Sequence, residues 1–119
     1  MTQPKLTGIP RLYRAFFYSL AGLKAVWNSE EAFRLECICL CFFAPLGYWL
    51  GQSDIERILL IGSVFFILII ELCNSAVETV VDRIGPEHHE LSGRAKDIIS
   101  AAVLLAVFQA MFVWLLILL

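Results

Sequence analysis

A chain of 119 residues holds at most one small domain. With 60% hydrophobic and 17% charged residues and a mean hydropathy of +0.79, it is too apolar for a soluble domain of this length and falls in the membrane class. A formal net charge of −2 points to no nucleic-acid partner, and the first apolar run comes late with no small-residue cleavage site behind it, so no secretory leader is expected.

The first expected element is an amphipathic helix over about residues 8–27. At helical spacing, Leu12, Phe16, Leu20, Leu23 and Trp27 gather on one face, with Tyr13 and Phe17 at its edge, while Arg11, Arg14, Tyr18 and Gly22 lie opposite. Lys24 falls at the apolar margin, where its stem can snorkel. A basic, aromatic-rich helix of this kind lies in the membrane interface. NSEEAFRLE (28–36) then restarts a helix: Asn28 and Glu31 have capping-box spacing, and Glu30 or Glu31 can pair with Arg34. The first span is expected over about 29–50, kinked at Pro45, with Tyr48 and Trp49 at the far interface. GQSDIER (51–57) reads as a short polar turn.

The second span is expected over about 55–84, stopped by Gly85–Pro86. The stretch PEHHELSGRAKD (86–97) is dense in charge, and within it Ser92 can cap the last helix, expected over about 92–119. From Ile98 to Leu119 the one strongly polar side chain is Gln109, with Ser100 able to bond back to its own helix. The basic residues Lys5, Arg11, Arg14, Lys24, Arg34, Arg83, Arg94 and Lys96 all fall on one side of the spans, and Arg57 alone on the other. That bias places the N-terminus and the 84–97 loop in the cytoplasm. Cys37, Cys39, Cys41 and Cys73 read as small buried hydrophobes in a reducing or lipid setting, and since Cys39 faces away from Cys37 and Cys41, those three form no common metal shell.

The chemistry is concentrated in IGSVFFILIIELCNSAVETVVDR (61–83). Its first ten residues suit lipid, yet Glu71, Asn74, Ser75, Glu78 and Asp82 follow on one stripe roughly 100° wide, with hydrocarbon opposite. An acidic residue at the bilayer centre costs on the order of 2.5–3.5 kcal/mol, so the stripe is expected to face protein or a wet crevice. A polar seam that glues helices is the plain alternative, and asparagine and serine serve it well. Two glutamates serve it poorly, since each needs a proton or a cation there. Seven residues separate Glu71 and Glu78 by about 10.5 Å along the axis, too far to share one ion with oxygen–metal distances near ~2 Å. Two roles are more natural than one: Glu78, nearer the cytoplasm, can hold the metal of a nucleotide, and Glu71 can meet a lipid hydroxyl as general base. No Walker A or GxGxxG motif is present, so Arg94 and Lys96 beside the start of the last helix are the candidate phosphate partners. His88–His89 beside Glu87 and Glu90 have the residue types of a metal site, but adjacent loop histidines rarely make one alone. A small transporter or channel subunit also carries intramembrane acids, but its ionisable group tends to sit near the midplane, whereas these charges gather at one end. One protomer has too little surface to enclose a nucleotide and a lipid together, so an oligomer is expected.

The run ELCNSAVETVVDRIGPEHHELSGRAKD (71–97) resembles the signature of the small prokaryotic integral-membrane diacylglycerol kinases, close to E-x-x-N-S-A-x-E-x-V-x-D-R followed by H-E-L-S-G-R-A-K-D. The likeness extends upstream through Arg11, Tyr18–Ser19, Gly22–Leu23, Trp27, and Glu30 with Ala32–Phe33–Arg34. It implies an all-α membrane protein in the bacterial inner membrane: an N-terminal amphipathic surface helix plus three transmembrane helices per protomer, in a homotrimer whose neighbours share active sites. It also implies ATP-dependent phosphorylation of diacylglycerol to phosphatidic acid with Mg²⁺ as cofactor.

The resemblance makes Glu71 the proton acceptor, Glu30 and Glu78 the metal ligands, and Asn74 their support. Arg11, Tyr18, Glu30, Glu78, Glu87, His88, His89, Lys96 and Asp97 would contact ATP. The lipid side would be lined in the first helix by Arg11, Ala15, Phe16, Phe17, Tyr18, Ser19, Leu20, Lys24, Ala25, Val26 and Trp27. Further on it would take Ala32, Phe33, Arg34, Leu35, Glu36, Trp49, Arg57, Glu71 and Ser100. Phe16–Phe17 are bulkier than the family's usual residues there, and Pro86 and His88 replace commoner loop choices. The related undecaprenol kinases resemble the chain in the same core residues.

Overall fold

A computed structural model of the chain describes Lys5 and residues 7–119. Among the described residues there are four helices and no strand: α1 (Ile9–Ser29), α2 (Glu31–Leu50), α3 (Asp54–Ile84) and α4 (Glu90–Leu118). The last three, of 20, 31 and 29 residues, are each long and apolar enough to cross a membrane. The fold is a three-span bundle with an additional N-terminal helix.

Pro10 lies in the first turn of α1, where its missing N–H costs nothing. No residue of α1 is buried, and Leu12, Phe16, Leu20 and Trp27 stay exposed along one face, as an interfacial helix requires. The helix runs to Ser29, so Asn28 lies in its last turn and the capping box expected at Asn28–Glu31 does not form. Glu30 alone is extended between α1 and α2, and its side chain makes no capping bond. Arg34 does not pair with Glu30 or Glu31 either. Its Nη1 donates to the carbonyls of Trp27 at 2.6 Å and Asn28 at 3.4 Å, because the last carbonyls of α1 lack helical partners.

α2 continues without a break through Pro45. Gly47 is buried where α2 meets α3, and a Cβ there would stand 3.1 Å from Leu60 Cβ and 3.5 Å from the Trp114 ring. The polar stretch expected as a turn over 51–57 is shorter. Ser53 Oγ accepts from Glu56 N at 3.2 Å, and with Asp54 and Glu56 in the first turn α3 begins at Asp54. α3 ends at Gly85, whose φ of +151° suits only glycine. α4 begins at Glu90 and not at Ser92. His89 Nδ1 accepts from Leu91 N at 3.1 Å and takes the capping role expected of Ser92, which lies inside the first turn.

Away from the charged loop the spans are in close contact. Ala106 and Ala110 are buried on α4, and such small residues let membrane helices approach closely. Trp114 packs edge-on against Phe43 of α2, with ring centroids 5.4 Å apart, and its indole N–H reaches the Leu60 carbonyl of α3 at 3.0 Å. Gln109 Nε2 donates to the Ser63 carbonyl at 2.8 Å. One end of the three spans is thus fixed by directed contacts, and the other end carries the charge.

Candidate active site

α3 has 31 residues, roughly 46 Å of helix, against a hydrocarbon core of about 30 Å. One end must project beyond lipid, and Asp54, Arg57, Asp82 and Arg83 mark the two limits. Counting from Ile58, Glu78 lies about 30 Å along the axis and Glu71 about 20 Å. Glu78 therefore stands near the boundary, with Glu71 about two turns deeper.

The buried residues of α3 are Leu60, Ser63, Leu68, Glu71 and Ser75. The acidic stripe faces protein, as the sequence periodicity requires. Glu71 is 5% exposed and Ser75 3%, Asn74 and Glu78 are half-buried, and Asp82 is exposed. Asn74 Nδ2 donates to Glu78 Oε1 at 3.3 Å. Thr79 Oγ1 donates to the Ser75 carbonyl at 2.7 Å, and the Ser75 hydroxyl has no partner.

α2 brings a third and fourth carboxylate. Glu30 and Glu36 are half-buried, Glu36 Oε2 has no hydrogen-bond partner, and both residues lie within electrostatic range of Glu71, as does Glu78. Among the described residues none of these four acids forms an ion pair. Clustered carboxylates without basic partners repel one another and invite a cation or a proton. The donor set is all hard oxygen, with no thiolate or imidazole in it, and fits Mg²⁺ better than a softer metal. Among the described residues no three acidic, histidine or cysteine side chains converge closely enough to cage an ion. The set suits a metal that keeps phosphate and water ligands.

Beyond the end of α3, Asp82, Glu87, His88, His89, Ser92 and Lys96 line a polar hollow of about 280 Å³. Lys96 Nζ lies 3.2 Å from Asp82 Oδ1, joining α4 to α3, and Arg94 lies 3.5 Å from Glu90. The hollow and the carboxylates occupy the same end of the bundle.

The sequence has known relatives. Residues 17–118 match the family model described as prokaryotic diacylglycerol kinase. A diacylglycerol kinase of Haemophilus influenzae is 53% identical over 110 residues, which cover 92% of this chain and 93% of that protein. One of Escherichia coli is 50% identical over 108 residues (91% and 88%), and one of Pseudomonas aeruginosa 42% over 108 residues (91% and 88%). The chain belongs to the prokaryotic diacylglycerol kinase family.

Within this kinase-family chain the expected site residues divide into groups. Glu71, Asn74 and Glu78 sit together on α3, with Glu30 and Glu36 on the α2 side. Glu87, His88, His89 and Lys96 meet around the polar hollow, and exposed Asp97 lies outside its lining. Arg11 and Tyr18 stand on exposed α1 and are not among the residues lining the hollow. Of the lipid-side expectations, Ala15 to Leu20, Lys24, Ala25 and Trp27 are exposed on α1, and Val26 is half-buried. Ala32 and Leu35 are exposed, Arg34 is half-buried, and Phe33 is packed away at 5% exposure. Trp49, 78% exposed, and Arg57 stand at the far end of the bundle, and Ser100 is exposed on α4. Ala32 and Trp49 are roughly 25 Å apart along α2, so the lipid-side set addresses two different depths.

Two features escaped the sequence reading. Glu36 was placed only among lipid-side residues, yet it extends the carboxylate cluster. Its signal was present: Gly47, the close-packing position of α2, lies three turns further on the same face. Gln109 stood out as polar, but nothing in the sequence names the carbonyl it seeks.

Proposed function

We propose that the chain transfers the γ-phosphoryl group of ATP to the free hydroxyl of diacylglycerol, giving phosphatidic acid and ADP. Family membership supports the reaction. The observation that carries the placement is Glu71, buried at 5% exposure, free of any basic partner among the described residues, with Asn74 less than one turn away and Glu78 two turns away on the same face.

In this reading the lipid hydroxyl loses its proton to Glu71 as its oxygen bonds to the γ-phosphorus. The bond from that phosphorus to the bridging oxygen breaks, and the electron pair leaves with ADP. Glu30 and Glu78 would hold Mg²⁺, which would supply neutralisation of phosphate charge, and Asn74 orients Glu78. Lys96 leaves Asp82 for a phosphate, with Arg11, Tyr18, Glu87, His88, His89 and Asp97 completing the nucleotide side. The aromatic face of α1 and the start of α2 hold the lipid at headgroup depth. Phosphoryl transfer needs mainly positioning and charge neutralisation, so a few helices suffice without a nucleotide-binding domain.

The working unit in this reading is a homotrimer, as the family resemblance implies, since one protomer has too little surface to enclose a nucleotide and a lipid together. Residues 1–119 act as one membrane domain in the bacterial inner membrane, with the N-terminus and the 84–97 loop in the cytoplasm, where ATP is.

The test is a side-by-side assay of detergent-solubilised protein with γ-labelled ATP, offered diacylglycerol and a long polyprenol. Label is expected in phosphatidic acid. Label in polyprenyl phosphate instead would replace the acceptor, and label in neither would overturn the kinase reading in favour of a transporter-type role for the acids.

A further inference from the structure

We propose that Gln109 and Trp114 are positioning residues, whose side chains clamp α3 from α4 and so set the angle at which Glu71 faces the site. The inference rests on the kinase reading above. Gln109 Nε2 donates to the Ser63 carbonyl at 2.8 Å and to Ala106 of its own helix at 2.8 Å. Trp114 Nε1 donates to the Leu60 carbonyl at 3.0 Å, which also accepts from Ser63 Oγ at 3.0 Å. Leu60 is 0% exposed and Ser63 6%. Both belong to the buried seam of α3 that ends in Glu71 and Ser75. Leu60 and Glu71 are eleven residues apart, about three full turns, so they project from nearly the same side with about 16 Å of axis between them.

A clamp is needed because the apolar contact is smooth. Ala106 and Ala110 allow close approach but give little resistance to a helix turning or sliding. The two directed bonds start five residues apart on α4 and end three residues apart on α3, and together they oppose both motions. No water in the hydrocarbon competes for those carbonyls. A carboxylate carried about 5–6 Å from the helix axis moves by about 2 Å for a rotation of roughly 20°. A misplacement of about 1 Å can cost up to 10² in rate. The edge-on contact of Trp114 with Phe43 ties α2, which carries Glu36, to the same clamp.

In the full-length protein in lipid bilayers, Gln109→Leu is expected to lower kcat about tenfold with the ATP KM within twofold of wild type. Gln109→Glu, whose protonated acid keeps a donor at the same reach, should restore most of the rate. Trp114→Phe keeps the ring against Phe43, removes the donor, and should give a second, smaller loss. A double-mutant cycle on kcat with Glu71→Asp tests the route: if the clamp acts through Glu71, the pair loses less than the product of the single losses. An unchanged kcat in Gln109→Leu, or a strictly multiplicative cycle, overturns the proposal.

A second readout needs no substrate. In a chain whose Cys37, Cys39, Cys41 and Cys73 are alanine, maleimide labelling of Val80→Cys, an exposed position past Glu78 at the water boundary, reports the rotation of α3. The labelling rate is expected to change at least twofold in Gln109→Leu and to return in Gln109→Glu. Equal rates in all three chains overturn the clamp whatever the kinetics show. Wild-type chains that phosphorylate no lipid alcohol yet pass the labelling test would count against the kinase reading alone.

Discussion

Arg34, in the first turn of α2, reaches back across the extended Glu30 and donates from Nη1 to the carbonyl of Trp27 at 2.6 Å. This bond tethers α1, which buries nothing of its own, to the spans. A hydrogen bond from a charged donor contributes about 1.5–3 kcal/mol. Arg34→Leu is therefore expected to loosen α1 and raise the lipid KM several-fold, while the thermal midpoint of the bundle changes little. A lowered midpoint with an unchanged lipid KM would contradict the tether.

Asn74 gives Glu78 its side-chain hydrogen bond, at 3.3 Å. Removing a partner that orients a metal ligand typically costs 10–100-fold in metal affinity or activity. Asn74→Ala should raise the Mg²⁺ concentration for half-maximal rate by about that factor. A magnesium titration that superimposes on wild type would show that the pair plays no part in metal binding.

The Lys96–Asp82 contact is exposed on both sides, so it contributes little to stability, about 0–1 kcal/mol. Lys96→Met should nonetheless raise the ATP KM at least about tenfold, the loss of one charge-assisted phosphate contact. Asp82→Asn should leave the thermal midpoint within a few degrees. Equal effects of both substitutions on the midpoint, with no effect on ATP, would make the pair purely structural.

Gly47 has no room for a branched side chain, with Leu60 Cβ 3.1 Å from the place where its own Cβ would stand. Gly47→Val should destabilise the bundle by about 1–3 kcal/mol, the usual cost of overpacking. Thermal inactivation in detergent measures it, and an unchanged midpoint would mean that α2 and α3 pack more loosely than described.

Hydropathy and period made the helices legible, because an apolar run of span length has one stable form in lipid. The facing of Glu71 and Ser75 was legible for the same reason: hydrocarbon lines the opposite side of α3. The caps were not. Asn28 and Ser92 have the right chemistry, but whether a residue caps depends on where the preceding turn ends, and Arg34 and His89 met those needs instead. The place of Glu36 beside the other carboxylates and the bond of Gln109 to Ser63 were not legible, because their partners lie on other helices and contacts across helices leave no mark at short sequence spacing.

In the proposed mechanism Glu71 takes the proton of the acceptor hydroxyl while other groups hold the nucleotide. Glu71→Gln keeps the shape and removes the base. Turnover with diacylglycerol should fall by about 10²–10⁴, while Mg-ATP binding to the same preparation stays within a few-fold of wild type. A Glu71→Gln protein that turns over at near the wild-type rate would rule out Glu71 as the base.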